Sequence, residues 1–198
     1  MTVEYRGVSD LVYAEIIADD AENYTTGEVK ILAGVAEISK TTESSAETHY
    51  YDNSPAVIVT TAGADEITCT VSAIPLDVLA DITGQMYDST LGAFMEGQRV
   101  TKYFAIGYKT KRTDNTEVYV WRYKGTFGIP DSTHVTEDDG TDANGQEVVF
   151  TGIETAHKFA SIGKGIKSLN VDVGLGLADV STFFDTVTTP DMLKVKTA

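Results

Sequence analysis

A single cysteine, Cys69, is all the sulfhydryl chemistry in this 198-residue chain, so no internal disulfide is available. That fits folding in a reducing compartment. Its neighbours Ile67 and Val71 make Cys69 a small core hydrophobe rather than a nucleophile. No apolar run approaches the length of a membrane-spanning helix, so no membrane is expected as a partner. The opening residues, MTVEYRGVSD, lack a basic stretch followed by an apolar one, so no secretory signal is expected. Basic residues are also scarce, with 15 Lys and Arg against 30 Asp and Glu, a formal net charge of −15. Such a surface repels phosphate backbones, so general nucleic-acid binding is disfavoured.

What the chain does have is period-two patterning. Its apolar fraction of 42% is that of a globular protein. Ile67, Cys69, Val71 and Ala73 alternate with Thr68, Thr70 and Ser72, which predicts a strand with one buried face. Tyr103 to Tyr108 and Val118 to Tyr123 predict a β-hairpin through the polar turn Thr113-Asp114-Asn115. Residues 146–154 predict another strand after the tight-turn pair Asn144-Gly145. Leu11 to Ile17, Leu32 to Ser39 and Ala56 to Thr61 add three more.

One segment departs from this period. Pro75 opens it and Gly84 follows it, with Leu76, Leu79 and Ile82 or Ala80 on one face, which predicts a single short helix. From about Phe159 onward the periodicity weakens among Gly163, Gly165, Gly174 and Gly176. The expected organisation is a β domain over 1–159 with an extension or arm over 160–198. Two stretches, 40–54 and 131–145, are polar and long for hairpin loops, which predicts functional or mobile loops.

A search for catalytic parts yields no candidates. His49, His134 and His157 lie on separate segments without the spacing of a zinc site. No Gly-x-Ser-x-Gly elbow is present. The stretch Gly163 to Ser168 resembles a phosphate loop only in outline, since Ser161 and Ile166 stand where two glycines are needed. The acidic run Asp138 to Gly145 has the flavour of a calcium loop. With Gly145 at the sharp turn, however, the first and twelfth ligand positions fall on Gly140 and Thr151, neither a carboxylate. No cofactor and no metal are expected.

The order of features resembles the major tail protein family of bacteriophages with long, non-contractile tails. Gly7-Val8 with Leu11-Val12-Tyr13-Ala14 is similar to that family's opening strand, and Ile31-Leu32-Ala33-Gly34-Val35 to the start of its second. Tyr50-Tyr51-Asp52-Asn53 resembles its aromatic-acidic signature, and Ile74 to Leu79 with Gly84 its short helix. Tyr103 to Ile106 and Trp121 to Phe127 resemble its core hairpin, and Thr136 with Phe150-Thr151-Gly152-Ile153 its last strand. The resemblance covers roughly residues 5–158 and rests on order and spacing.

It implies a mainly β fold, a β-sandwich or partly rolled barrel with one short flanking α-helix. It also implies a structural role rather than an enzymatic one. Six copies would close a ring, and rings would stack into a tail tube in the virion after assembly in the host bacterial cytoplasm. The implied partners are other copies of the chain, a tape-measure protein, tail completion or terminator proteins and baseplate proteins. DNA would pass transiently without sticking. A ring needs one face of a subunit to fit a different face of its neighbour, and Thr-rich strand edges can supply it. The candidate subunit interface is Thr42, Glu43, Glu47, His49, Tyr50, Tyr51 and Asp52, with the two tyrosines as anchors or, alternatively, as caps of the sandwich core. Candidate acidic channel-lining residues are Glu37, Glu43, Glu47, Asp65 and Glu66, whose charge would repel phosphates. The alternatives are a β-sandwich recognition module for carbohydrate or protein, an enzyme with a site the sequence does not reveal, and a tube protein of a phage-like secretion particle.

Overall fold

The computed structural model describes residues 2–136 and 144–196. The chain begins with a long strand β1 (Tyr5–Asp19), the short β2 (Tyr24–Thr26) and β3 (Lys30–Ile31), and then two very long strands, β4 (Val35–Tyr51) and β5 (Ser54–Val71). The helix α1 (Leu76–Thr83) and a small hairpin, β6 (Met86–Asp88) with β7 (Ala93–Met95), follow. Next come β8 (Phe104–Arg112), β9 (Glu117–Phe127), β10 (Asp131–Ser132) and β11 (Gln146–Ile153). The last third contributes β12 (Ser168–Asp172), a 3₁₀ turn (Val173–Leu175), β13 (Ala178–Asp179) and β14 (Lys194–Val195). The protein is therefore mainly β, with one short helix.

Ten strands form one antiparallel sheet along the path β2-β1-β8-β9-β11-β5-β4, with β3 on β1, β10 on β11 and β12 on β9. β9 divides the sheet, because residues 118–122 pair with β12 while 124–127 pair with β11. The sheet curls without closing into a barrel: among the described residues no ladder joins β4 to β1.

The two central strands are buried on both faces, which explains the continuous apolar run at 104–108. On β9, Val118 and Val120 enter one core while Trp121 and Tyr123 enter another, as period-two geometry requires. The first core gathers Leu11, Tyr13, Ile67, Cys69, Phe104, Ile106 and Phe150 from four strands, so the sheet wraps around it, and α1 adds Ile82. The second core lies on the opposite face and includes Phe159, Phe183 and Val187. Residues beyond 160, expected as an extension or arm, thus run back across the sheet. The Trp121 indole N–H donates to the Phe183 carbonyl at 2.9 Å, and the Tyr123 hydroxyl to the Thr188 carbonyl at 2.8 Å. Both polar tips are satisfied without water, as burial of such side chains demands.

Local chemistry explains the element ends. Pro75 precedes the first helical turn, and Gly84 ends α1 in the left-handed conformation at φ 66°. A Cβ at Gly84 would stand 1.9 Å from the Val100 carbonyl oxygen, so no side chain fits there. The helix buries Ala80, Ile82 and Thr83, whereas Leu76, expected on its apolar face, is exposed. Of Leu32 to Ser39, expected as one strand, only Val35 onward is strand: β3 ends at Ile31 and β4 begins at Val35. Between them Leu32 is buried, and its amide donates to the Leu11 carbonyl at 3.0 Å.

The largest departure from the sequence reading is at 40–54. The expected loop is part of a hairpin in which β4 and β5 stay paired from Val35↔Val71 out to Tyr51↔Ser54, with register shifts after Val35, Thr42 and His49. Asp52 and Asn53 form its two-residue turn with φ of 50° and 60°. This is the left-handed pair that a tight hairpin turn with the sheet's own twist needs, and Asp and Asn tolerate it. Of the other expected loop, 131–145, residues 137–143 lie outside the described residues, and with them most of the acidic run.

Candidate assembly surface

Beyond the body of the sheet the hairpin stands alone. Every residue from 43 to 63 is exposed, on both faces of both strands. From Thr42 to Tyr51 the antiparallel rise per residue gives a projection of roughly 30 Å. Its surface is apolar where it has no need to be in water: Tyr50, Tyr51, Val57, Ile58 and Val59 are all large and exposed. They cluster near the tip, since His49 pairs with Val57 and Thr48 with Ile58. A two-stranded ribbon without a packed face is marginal in water by itself. Large apolar side chains left exposed near one tip, on both faces of the ribbon, are a surface suited to contact with another molecule.

The sequence-predicted interface residues Thr42, Glu43, Glu47, His49, Tyr50, Tyr51 and Asp52 all fall on β4 or in its turn. The exposed Tyr50 and Tyr51 do not cap the sandwich core. Val57, Ile58 and Val59, which belong to the same surface, follow the turn on the partner strand; their β-branched run was visible in the sequence and read only as strand.

The acidic candidates separate. Glu37, Glu43, Glu47 and Glu66 are exposed, while Asp65 is only 4% exposed. Asp65 sits at the foot of the hairpin, where its carboxylate accepts from Arg122 Nη1 at 3.0 Å, Thr42 Oγ1 at 2.9 Å and Lys167 Nζ at 3.2 Å, with Lys40 Nζ 3.9 Å away. Burial pushes this carboxyl group up. The hydrogen bonds from Thr42 and Lys167 and the charges of Lys40 and Lys167 outweigh that and hold it below its ordinary value. Asp65 is a structural anion, not a free surface carboxylate. Lys167 also donates to the Gly63 carbonyl, so the lysine of the phosphate-loop-like stretch ties residues 163–168 to the hairpin.

Arg122 is the residue the sequence reading missed. It follows Val118 and Val120 at alternate positions on β9, so the strand period turns it inward, toward the first core. A charged residue at an inward position of a clean alternation is the signal that could have revealed it.

Beside this ion cluster lies a cavity of about 620 Å³, within the size range of ligand-accepting clefts. Tyr5 and Val8 of β1 wall one side and Ile38 and Lys40 of β4 the other, over a floor from β8 and β9. The histidines play no joint role: His49 is on the hairpin, His134 is exposed, and His157 packs edge-on against Phe159. Among the described residues no group of three or more His, Cys, Asp or Glu side chains is placed to hold a metal ion.

No protein-family model matches the chain, and no curated protein matches it.

Proposed function

We propose that this chain is a structural subunit that assembles with copies of itself, a tail-tube protein of a long-tailed bacteriophage or of a related phage-like particle. The observation that carries the reading is the β4–β5 hairpin, with some 30 Å of paired strand exposed on both faces and apolar at its tip. Such an element is a poor design for a solitary molecule and a good one for a protein that completes its burial against a neighbour.

Rings stacked into a tube follow from the resemblance in feature order described above, with a tape-measure protein inside and completion and baseplate proteins at the ends. The net charge of −15 suits the passage of DNA through such a channel. Glu37, Glu43, Glu47 and Glu66 are the exposed acids available to line it, whereas Asp65 is already matched by cations. Sedimentation and negative-stain microscopy of the purified chain over a rising concentration series test the reading. Rings or tubes are expected. A monomer at all concentrations, or one that binds glycans, would overturn it.

A further inference from the structure

The ladder between β4 and β5 sorts the exposed ribbon into two unlike faces. In the body of the sheet Ile38, Lys40 and Thr42 pair with Cys69, Ile67 and Asp65. Ile67 and Cys69 are buried in the first core, so this is the inward face. Between the Thr42 and Ser44 pairings β4 advances two residues while β5 moves three, from Asp65 to Ala62. The extra residue is on β5, so β4 keeps its alternation across the shift. The inward face therefore continues into the ribbon as Ser44, Ala46 and Thr48, with Ala62, Thr60 and Ile58 opposite them. All six are exposed, and none is charged.

The outward face carries the acids. Glu37, Glu43 and Glu47 occupy its alternate positions on β4, and Glu66, opposite Thr41, lies on it too. A Cβ at Gly63 would stand 3.2 Å from the Glu43 Cβ, which places those two residues on one side. Val57 and Val59 share this face, opposite His49 and Glu47. No Lys or Arg lies between Thr41 and Gly63 to offset the carboxylates. Of the acids on the two strands, only Asp65 turns inward, and it is buried and matched by cations.

This division selects both the face that is covered and what covers it. A basic partner would be drawn to the outward glutamates. A second copy, itself at a net charge of −15, is repelled by them. It approaches closely only where no acid has to be buried against another. We propose that a second copy of this chain covers the inward face of the ribbon, around Ile58, its one large apolar side chain, while the outward glutamates stay in water. The inference rests on the self-assembly reading and gives the ribbon a side. Assembly then extends along β5 the burial that begins in the body at Ile67.

Matched charge insertions in the full chain test it. Ala46→Glu and Thr60→Glu each put a carboxylate on the inward face, and Ser45→Glu and Thr61→Glu each put one on the outward face a residue away. All four positions are exposed and every variant changes the net charge equally, so a difference between the pairs reports the face. In sedimentation over a concentration series, the inward variants should raise the concentration needed for assembly by about tenfold or more. The outward variants should change it by less than about threefold, as exposed charges do. Thiol labelling gives a readout without added charge, since Cys69 is fully buried. The Ala46→Cys thiol should lose its reactivity toward a maleimide on assembly, and the Ser45→Cys thiol should keep it. Equal effects at the two faces, or a larger effect at the outward one, overturn the sidedness while leaving self-assembly standing. An unmodified chain that stays monomeric throughout overturns both.

Discussion

Arg122 Nη1 lies 3.0 Å from Asp65 Oδ2 with both side chains almost wholly out of water, so the base of the projecting hairpin is anchored by a buried ion pair. Removing one partner from such a pair strands the other charge in a poor solvent. Asp65→Asn is expected to cost about 3 kcal/mol or more in urea unfolding. Replacing both, with Asp65→Leu and Arg122→Met, should cost less than Asp65→Asn alone, because neither charge is then left without its mate. Equal losses would show that the pair adds nothing beyond its packing.

Acid should weaken the fold through three aspartates. Asp19, Asp65 and Asp81 are all held below the ordinary carboxyl value by lysine and backbone or hydroxyl donors that outweigh the effect of burial. Lys124 and the Ala156 and His157 amides serve Asp19; Lys30, Lys102 and the Tyr13 hydroxyl serve Asp81. A depressed folded pKa means that the unfolded chain binds protons first. The stabilisation is present above the unfolded value near 3.8 and is lost as pH falls through the lower folded values. Urea midpoints should be flat near neutrality and fall steeply from roughly pH 5 to pH 2; Asp81→Asn should flatten that fall.

Gly125 has no room for a methyl group. A Cβ there would lie 2.4 Å from both the Phe150 ring and the Thr151 carbonyl oxygen, where β9 meets β11. Gly125→Ala is expected to destabilise by about 2–3 kcal/mol, as overpacking of a tight core does. Gly97→Ala, with nothing near its Cβ, serves as the neutral control in the same thermal melts.

The only tryptophan reports on the C-terminal cover. Trp121 is fully buried, stacks near Phe184 at 5.6 Å and donates to the Phe183 carbonyl. Phe183→Ala should cost about 3 kcal/mol or more and shift the Trp121 emission to the red. Unchanged fluorescence would mean that residues 180–188 do not cover this face in solution.

Cutting the hairpin short separates folding from assembly. Joining Ser45 to Thr61, which face each other across the ribbon with hydroxyls 2.6 Å apart, through an Asn-Gly turn removes the tip and leaves the anchored base. Stability should change by less than about 1 kcal/mol, as for other changes to exposed residues, while assembly in the sedimentation assay disappears. Assembly that survives the deletion would move the contact elsewhere.

The elements that could be read from the sequence are those whose two faces differ or whose ends carry backbone chemistry. Ile67-Cys69-Val71 alternates because only one side of β5 meets the core there. The Asn115 turn, with φ of 66°, and the Pro75 and Gly84 ends of α1 announce themselves through residues suited to those conformations. The β4 arm of the distal hairpin was invisible as a strand because both of its faces are in water, so Thr, Ser and Glu sit where an apolar stripe would otherwise betray the period. The C-terminal cover was opaque for another reason: Phe159, Phe183 and Val187 pack from loops and turns, where no helical or strand repeat spaces the buried side chains. The candidate interface was found from its aromatic-acidic string, whereas Arg122 was hidden among the aromatic residues of β9.

The doubly buried β8–β9 pair carries a consequence for biosynthesis. On a ribosome, residues 5–153 can complete the main strand order while the Trp121 and Tyr123 side of the sheet is still bare, because the stretch that blankets it has not yet been translated. A nascent subunit therefore displays a sticky flank until its final segments emerge, and this flank is separate from the ribbon offered to neighbouring copies. Chaperone protection or rapid synthesis would matter most during that interval, and termination before Phe159, Phe183 and Val187 are in place would yield aggregates rather than short but usable building blocks.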